Sequence, residues 1–278
     1  MPKSPTESLR LGAYVAAALW RDAGWALATG DGQVRFEDGS VAEAHEGAVL
    51  CAAPHPSGDG VVTGGDDGRL AWSRPGGAAP VELANLGGRW IDAAATHPAS
   101  GLIAFAAGRD VHVRDAADPA FRRRFAHERA AAALSFDPKG RRIAVATYGG
   151  ARLWYARVES QTPASLAWAG SHTAVWWSPD GRFVVTAMQE NDMHGWRLSD
   201  GKDMRMSGYP SKVRSAAFLS KGALLATAGA AGAVCWPFVG AGGPMGKDAV
   251  QIGEDEAPPG GRPALVTRVA AVAAGSRL

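Results

Sequence analysis

Short apolar runs recur along this 278-residue chain, separated by turns rich in Gly, Pro and Asp. The segments "SFDPKGRRIAVAT", "WSPDGRFVVTA" and "FLSKGALLATA" align on the turn glycines Gly140, Gly181 and Gly222, which are 41 residues apart in both steps. Equivalent turns stand upstream at Gly24, Gly58 and Gly101 and downstream at Gly275. From Gly24 to Gly275 the mean step is about 42 residues, and a period of that size signals repeated supersecondary units. The last step is the long one, and it holds a Gly/Pro-rich insertion.

Each unit follows one pattern. A strand of small residues leads into the turn, as in "VAAALW", "VLCAA" and "DAAAT". An apolar strand follows the glycine, as in "VVTGG", "IAVAT" and "FVVTA". A Gly/Asp/Asn turn then opens a third strand with apolar positions two apart: Val34 and Phe36, Leu70 and Trp72, Val111 and Val113, Val234 and Trp236, with Trp154 and Trp196 at matching places. A more polar fourth strand, such as "PVELAN", "AFRRRFA" or "GKDMRM", closes most units. Alternating β-branched and aromatic residues between turn signals predict antiparallel β structure, and no stretch has helical length and period. Four strands per ~42 residues describe a propeller blade. The expected fold is therefore an all-β, seven-bladed β-propeller in a single domain, residues 1–278. Its blades fall near 12–45, 46–86, 88–126, 127–170, 171–207, 208–253 and 264–278, the last apparently incomplete, with an N-terminal strand at 7–12.

The segment "AHEGAVLCAAPHPSGDGVVTGGDDGRLAWS" carries a resemblance to WD repeats. His45 matches the histidine of the repeat, Thr63 its hydroxyl, Asp66 or Asp67 its turn acid, and Trp72 its tryptophan. His172, Thr186, Asp192 and Trp196 form the next best set. Other units depart. The fourth has His127 and Trp154 with Gly149 at the acid position, the sixth has Tyr209 and Ala231, the third has Arg89 and Val113, and the terminal Trp-Asp dipeptide is absent throughout. The resemblance implies a hydrogen-bonded network within the better-matched blades and a rigid scaffold that binds a protein or peptide through loops on one face. The loop residues able to anchor such a partner are Arg89, Trp90, Arg109, Arg129, Tyr148, Glu190, Tyr209 and Lys212, because aromatic and arginine side chains favour interfaces.

The resemblance also implies that "ESLRLGA" near the N-terminus completes the last blade. By analogy with the sixth unit, where Trp236 follows Leu224, about 15 residues are missing after Leu278. The natural chain is then longer, or the ring is left open with unpaired strand edges.

Composition narrows the classes of function. Hydrophobic residues make up 46% and charged residues 20%, the balance of a globular protein with a sizeable core. A net charge of +2 gives no electrostatic case for a nucleic-acid or membrane partner. The N-terminus has no apolar run of a secretory signal, and no uncharged run approaches the ~20 residues of a bilayer span. Cys51 and Cys235 stand far apart in apolar runs, which fits a cytoplasmic protein without disulfides. Abundant Ala, Gly and Arg with few Lys suggest a bacterial source.

Several polar sets deserve weighing as chemistry. His172, Glu190, Asp192 and His194 could ligate a metal or move a proton, and Asp192 and His194 share a face if strand geometry holds. "AGGPMGKD" resembles a phosphate-binding loop, but Ala241 replaces its first glycine and Asp248 its hydroxyl residue. His55 and His97 recur at equivalent turns, which points to turn chemistry. Arg122 and Arg124 in "FRRRF" share one face of an outer strand opposite Arg123, and such charges resist edge pairing. Glu254, Asp255 and Glu256 lie on a loop that is either solvated or a contact for a basic partner. The inner strands supply Asp92 as their sole carboxylate, whereas a metal-dependent propeller hydrolase or lactonase needs several converging ligands. The expectation is a non-catalytic scaffold with no cofactor and no metal. The alternatives are such a hydrolase, or an accessory protein in cofactor or metal-centre assembly.

Overall fold

A computed structural model describes residues 10–21, 24–253 and 265–266. Among them the only helical elements are single 3-10 turns at Pro98–Ser100 and Ser220–Gly222. The chain divides into two compact units, Met1–Ala94 and Ala95–Leu278.

The first unit holds two antiparallel sheets. One runs in order β1 (Val15–Arg21), β2 (Gly24–Thr29), β3 (Gln33–Phe36) and β4 (Val41–Glu43). The other runs β5 (Val49–Pro54), β6 (Val61–Gly65), β7 (Arg69–Ser73) and β8 (Val81–Asn85). Ala26, Ala28, Val34, Phe36, Val49 and Val61 join in one buried cluster across both sheets.

The second unit begins with β9 (Ala93–His97, its first residues from the junction), β10 (Leu102–Ala107), β11 (Asp110–Asp115) and β12 (Arg122–Ala126). A six-stranded sheet follows: β13 (Ala133–Phe136), β14 (Arg142–Tyr155), β15 (Ala164–Trp177), β16 (Phe183–Met188), β17 (Met193–Arg197) and β18 (Asp203–Met206). The last sheet is β19 (Ala216–Leu219), β20 (Leu224–Thr227), β21 (Ala233–Pro237) and β22 (Val250–Ile252).

Second strands are the most enclosed. Every residue of β6, β10 and β16 is buried, which explains their continuous apolar sequences, since a strand covered on both faces has no polar side to alternate with. The first strands β5, β9 and β19 are mostly half-buried. Outer strand β12 alternates exposed Arg122 and Arg124 with buried Phe125.

The antiparallel sheets agree with the expected architecture, but the count does not. The described residues form five blade-like sheets, not seven. The units read at 127–170 and 171–207 share the six-stranded sheet, because β14 and β15 are each 14 residues long. β14 pairs with β13 through its first half and with β15 through its second. β15 then continues through Gly170 and Ser171 and pairs with β16 from His172 onward. Gly170 sits at φ 121°, so the chain bends there without a proline or turn acid to end the strand. The seventh unit at 264–278, apart from Leu265 and Val266, lies outside the described residues. So do most of the N-terminal strand at 7–12 and the acidic residues Glu254, Asp255 and Glu256.

β14 doubles back at Tyr148 and Gly149, bringing the Ala156 N–H onto Arg141 O at 2.9 Å. Gly149 and Gly150 hold positive φ of 88° and 124°. A Cβ on Gly150 would stand 1.9 Å from Leu166 O, whereas one on Gly149 would meet nothing within 4 Å. Gly150→Ala is therefore expected to lower the unfolding free energy by about 2 kcal/mol or more, and Gly149→Ala by only about 1 kcal/mol. Urea denaturation of the two variants checks this, and equal losses would show that β15 does not constrain the turn.

Candidate functional site

Buried threonines near the ends of second strands organise the polar interior. In the first unit, His45 spans from loop to strand: Nδ1 lies 3.0 Å from Asp67 Oδ1 and Nε2 lies 2.9 Å from Thr63 Oγ1. Burial pushes the Asp67 carboxyl pKa up, but amide donation from Arg69 and the hydrogen bond to His45 outweigh it and hold the group below its ordinary value. Trp72 does not join this chain of bonds. Its ring stacks on His55 with centroids 4.0 Å apart and lies beneath Arg74, and its indole N–H has no protein acceptor.

In the second unit the same task is solved three ways. His172 is fully buried, with Nε2 3.1 Å from Trp168 O and Nδ1 2.7 Å from Thr186 Oγ1. A carbonyl only accepts, so Nε2 carries the proton and Nδ1 accepts from the hydroxyl. Tyr209 takes the corresponding place in the last sheet. Its hydroxyl lies 2.7 Å from Thr227 Oγ1 and accepts from Trp236 Nε1 at 2.6 Å. In the fourth repeat, Trp154 Nε1 donates to His127 Nε2 at 2.9 Å, while Thr147 turns to the carbonyl of Gly150. Burial pushes the pKa of His127 and of His172 down, which keeps both rings neutral near pH 7.

The set His172, Glu190, Asp192 and His194 does not converge. Asp192 pairs with Arg205 at 2.5 Å rather than with His172. His194 is buried between Trp168, stacked at 3.8 Å, and Trp196, edge-on at 4.8 Å. Neither of its ring nitrogens has a hydrogen-bond partner, and Asp203 stands 3.7 Å from Nε2. Glu190 is exposed. Among the described residues no group of three or more His, Cys, Asp or Glu could hold a metal ion. Trp196 packs against both imidazoles.

The remaining polar sets are occupied by turns. His55 Nδ1 meets Ser57 Oγ, which in turn donates to Asp59. The carboxylate bonds the hydroxyl and stands 3.7 Å from the same Nδ1, so it does not orient the imidazole from its far nitrogen as the base of an activated nucleophile is oriented. His97 caps its own turn through Ser100 and reaches Pro138 O. Lys247, in the glycine-rich loop, donates to Val239 O at 2.6 Å. Arg124 pairs with Asp110 at 3.0 Å. Burial pushes the Cys51 thiol up to about 12, so it stays protonated and unreactive. The carboxyl of Asp92, an exposed residue, is raised by desolvation from its surroundings.

The pairs Asp110–Arg124 and Asp192–Arg205 occupy matching positions and escape a reading of single repeats. Both acids precede a third strand's apolar pair, and both arginines lie on the fourth strand 13 or 14 residues later. That shared offset is the signal that finds them.

Of the candidate anchors, Arg89 and Trp90 belong to the first unit and are exposed, Trp90 by 63%. Arg109, Arg129, Tyr148, Glu190 and Lys212 are exposed in the second unit. Tyr209 is 8% exposed and sits inside the bond network. Arg129 lies over the Tyr148 ring at 6.0 Å, and Arg109 O accepts the His127 N–H at 2.9 Å, so these three residues share one neighbourhood. Lys212 lines a shallow depression with Gln189, next to Glu190.

Residues 39–71 match the family model of the WD domain, G-beta repeat, a stretch that contains His45, Thr63 and Asp67 and ends one residue before Trp72. No curated protein matches the chain.

Two measurements test the interior. Tyr209→Phe strands the Trp236 N–H and leaves the buried Thr227 hydroxyl with the Val234 carbonyl alone, and is expected to cost about 1–3 kcal/mol of stability in urea unfolding. A loss near zero would show that these groups find other partners. Burial drives the His194 pKa down to about 4, opposed by Asp203 and aided by His172 and Arg205. The unfolded chain, with His near its ordinary 6.5, binds the proton first. Stability is therefore present above about pH 6.5 and falls as pH drops toward 4. His194→Phe should make that pH dependence shallower, and an unchanged slope would remove His194 from the cause.

Proposed function

We propose that this chain, as a member of the WD-repeat family, is a non-catalytic scaffold that binds a protein or peptide partner through exposed loop residues. Proteins of this family generally mediate protein–protein interactions. The observation that carries the reading is the contrast between occupied and unoccupied groups. Of the polar residues that resemble reaction chemistry, His172 and Asp192 are bonded within the fold and His194 is sealed between tryptophans, while Trp90 and Tyr148 stand 63% and 61% exposed. Large aromatics with arginines beside them are the usual anchors of interfaces, and Tyr148 sits on a two-residue turn fixed by Gly150. A preorganised anchor loses little freedom on binding.

A metal-dependent hydrolase would instead need several carboxylates or imidazoles converging on one point, and no observation favours it. Among the described residues no helix is long and apolar enough to cross a membrane. Cys51 and Cys235 are unpaired, which suits a reducing compartment, and the reading places the protein in the cytoplasm.

The test is affinity capture from cell extract with the wild-type chain and with the triple variant Trp90→Ala, Arg109→Ala, Tyr148→Ala. The variant should lose specific partners at an unchanged melting temperature, because all three side chains are exposed. Identical partner sets would overturn the role of these exposed residues in binding, and a stoichiometric Ca²⁺ or Zn²⁺ in the purified protein would reopen the hydrolase reading.

A further inference from the structure

Beside Tyr148 the second unit carries a cleft of about 300 Å³. Its floor is the pair Trp154 and His127, joined by the 2.9 Å hydrogen bond, and its sides include Arg152, Arg129, Tyr148 and Glu128. Every part of the floor is held. Trp154 stacks on Phe125 with centroids 4.7 Å apart, and His127 Nδ1 faces Phe125 O at 3.1 Å. With Nε2 accepting from Trp154, the proton lies on Nδ1 and the ring is a neutral wall.

The charges on the sides are not held in the same way. Arg152 projects from β14, is half-buried, and uses one guanidinium nitrogen, Nη1, on Ala151 O at 3.2 Å. Arg129 contacts the Tyr148 ring. Among the described residues neither arginine forms an ion pair with a carboxylate. This sets them apart from Arg124, Arg142, Arg157, Arg182, Arg197 and Arg205, each of which faces an aspartate within 3.2 Å. Glu128 is the one acid in the lining and is exposed at the rim.

We propose that this cleft is a recognition pocket for an acidic peptide segment, with a partner's carboxylate between Arg152 and Arg129 and its adjoining chain across the Tyr148 ring. The proposal rests on the interaction reading above and gives it a chemistry. Guanidinium groups bind carboxylates through paired, charge-assisted hydrogen bonds. A partly desolvated arginine on a strand is already oriented for that geometry, and complementary charge supplies specificity. The Glu128 carboxylate disfavours a doubly charged phosphate more than a singly charged side chain, which selects Glu or Asp over a phosphorylated residue.

The experiment uses the full chain and three fluorescein-labelled decapeptides in polarisation assays: alternating Glu-Gly, alternating Gln-Gly, and the Glu-Gly peptide with one central phosphoserine. The Glu-Gly peptide should bind at least about tenfold more tightly than the Gln-Gly peptide and weaken as salt rises. Arg129→Gln with Arg152→Gln should abolish that preference, and Tyr148→Ala should weaken binding several-fold, both at unchanged melting temperature. Arg122→Gln, an exposed arginine of β12, should leave binding unchanged. Four results would overturn the proposal: no binding of the Glu-Gly peptide at about 1 mM, equal affinity for Gln-Gly, preference for the phosphopeptide, or an Arg122→Gln loss as large as that of the double variant. If the peptide fails while the triple variant still loses partners in affinity capture, the scaffold reading stands and only the acidic chemistry falls. If both fail, the exposed residues named here do not carry binding.

Discussion

A threonine hydroxyl sealed near the end of a second strand is the constraint around which the blades are arranged. Thr29, Thr63, Thr147, Thr186 and Thr227 are each 3% exposed or less. A hydroxyl cut off from water destabilises the fold unless something bonds it; main-chain carbonyls of Gln33, Gly150, His194 and Val234 meet four of the five, and most have a side-chain partner as well. Asp31 answers Thr29, His45 answers Thr63, His172 answers Thr186, Tyr209 answers Thr227, and the Gly150 carbonyl answers Thr147. Two of the five partners, His45 and Tyr209, stand on the loop that leads into the next sheet, so satisfying those hydroxyls also fixes the loop. β10 ends instead in a buried alanine, Ala107, and makes no such demand.

This constraint explains both what can be read from the sequence and what cannot. The turn glycines, the apolar second strands and the His45 match are legible because they depend on residues close in the chain and on local backbone geometry. The sequence assigns Asp192 to His172 by analogy with one good repeat, yet the structure gives Asp192 to Arg205. That partner lies on the neighbouring strand of the same unit, opposite His194, where the repeat match assigns no residue. Tyr209 reads as a surface anchor because a phenol is not the residue expected at the histidine position. Its hydroxyl reaches the same threonine that an imidazole would reach, and the longer ring also collects the Trp236 N–H.

The number of sheets was beyond the repeat pattern for a different reason. Counting turns equates each turn glycine with one blade, which holds only if the connection between units breaks the hydrogen-bond ladder. Gly170 does not break it. A glycine at φ 121° lets the chain bend while both flanking segments stay paired. Two units of the pattern then become one six-stranded sheet. Periodicity reports where strands turn, not where pairing stops.

Stability and recognition meet at the fourth repeat. The His127–Trp154 bond fastens a loop to a strand, and the same two rings form the floor of the cleft beside Tyr148. Arg152 and Arg129 add nothing visible to that fastening, since neither closes an ion pair among the described residues. A half-buried cation without a counter-charge is unfavourable in isolation, and its desolvation is offset when a carboxylate arrives. Arg124, Arg142, Arg157, Arg182, Arg197 and Arg205 of this unit already face aspartates, and Arg129 and Arg152 are distinguished by lining one cleft beside Tyr148. With a net charge of only +2 on the chain, long-range attraction would be weak, and discrimination must come from these local donors. The fold's internal fastening thus fixes the floor, and the residues left outside the network carry the specificity.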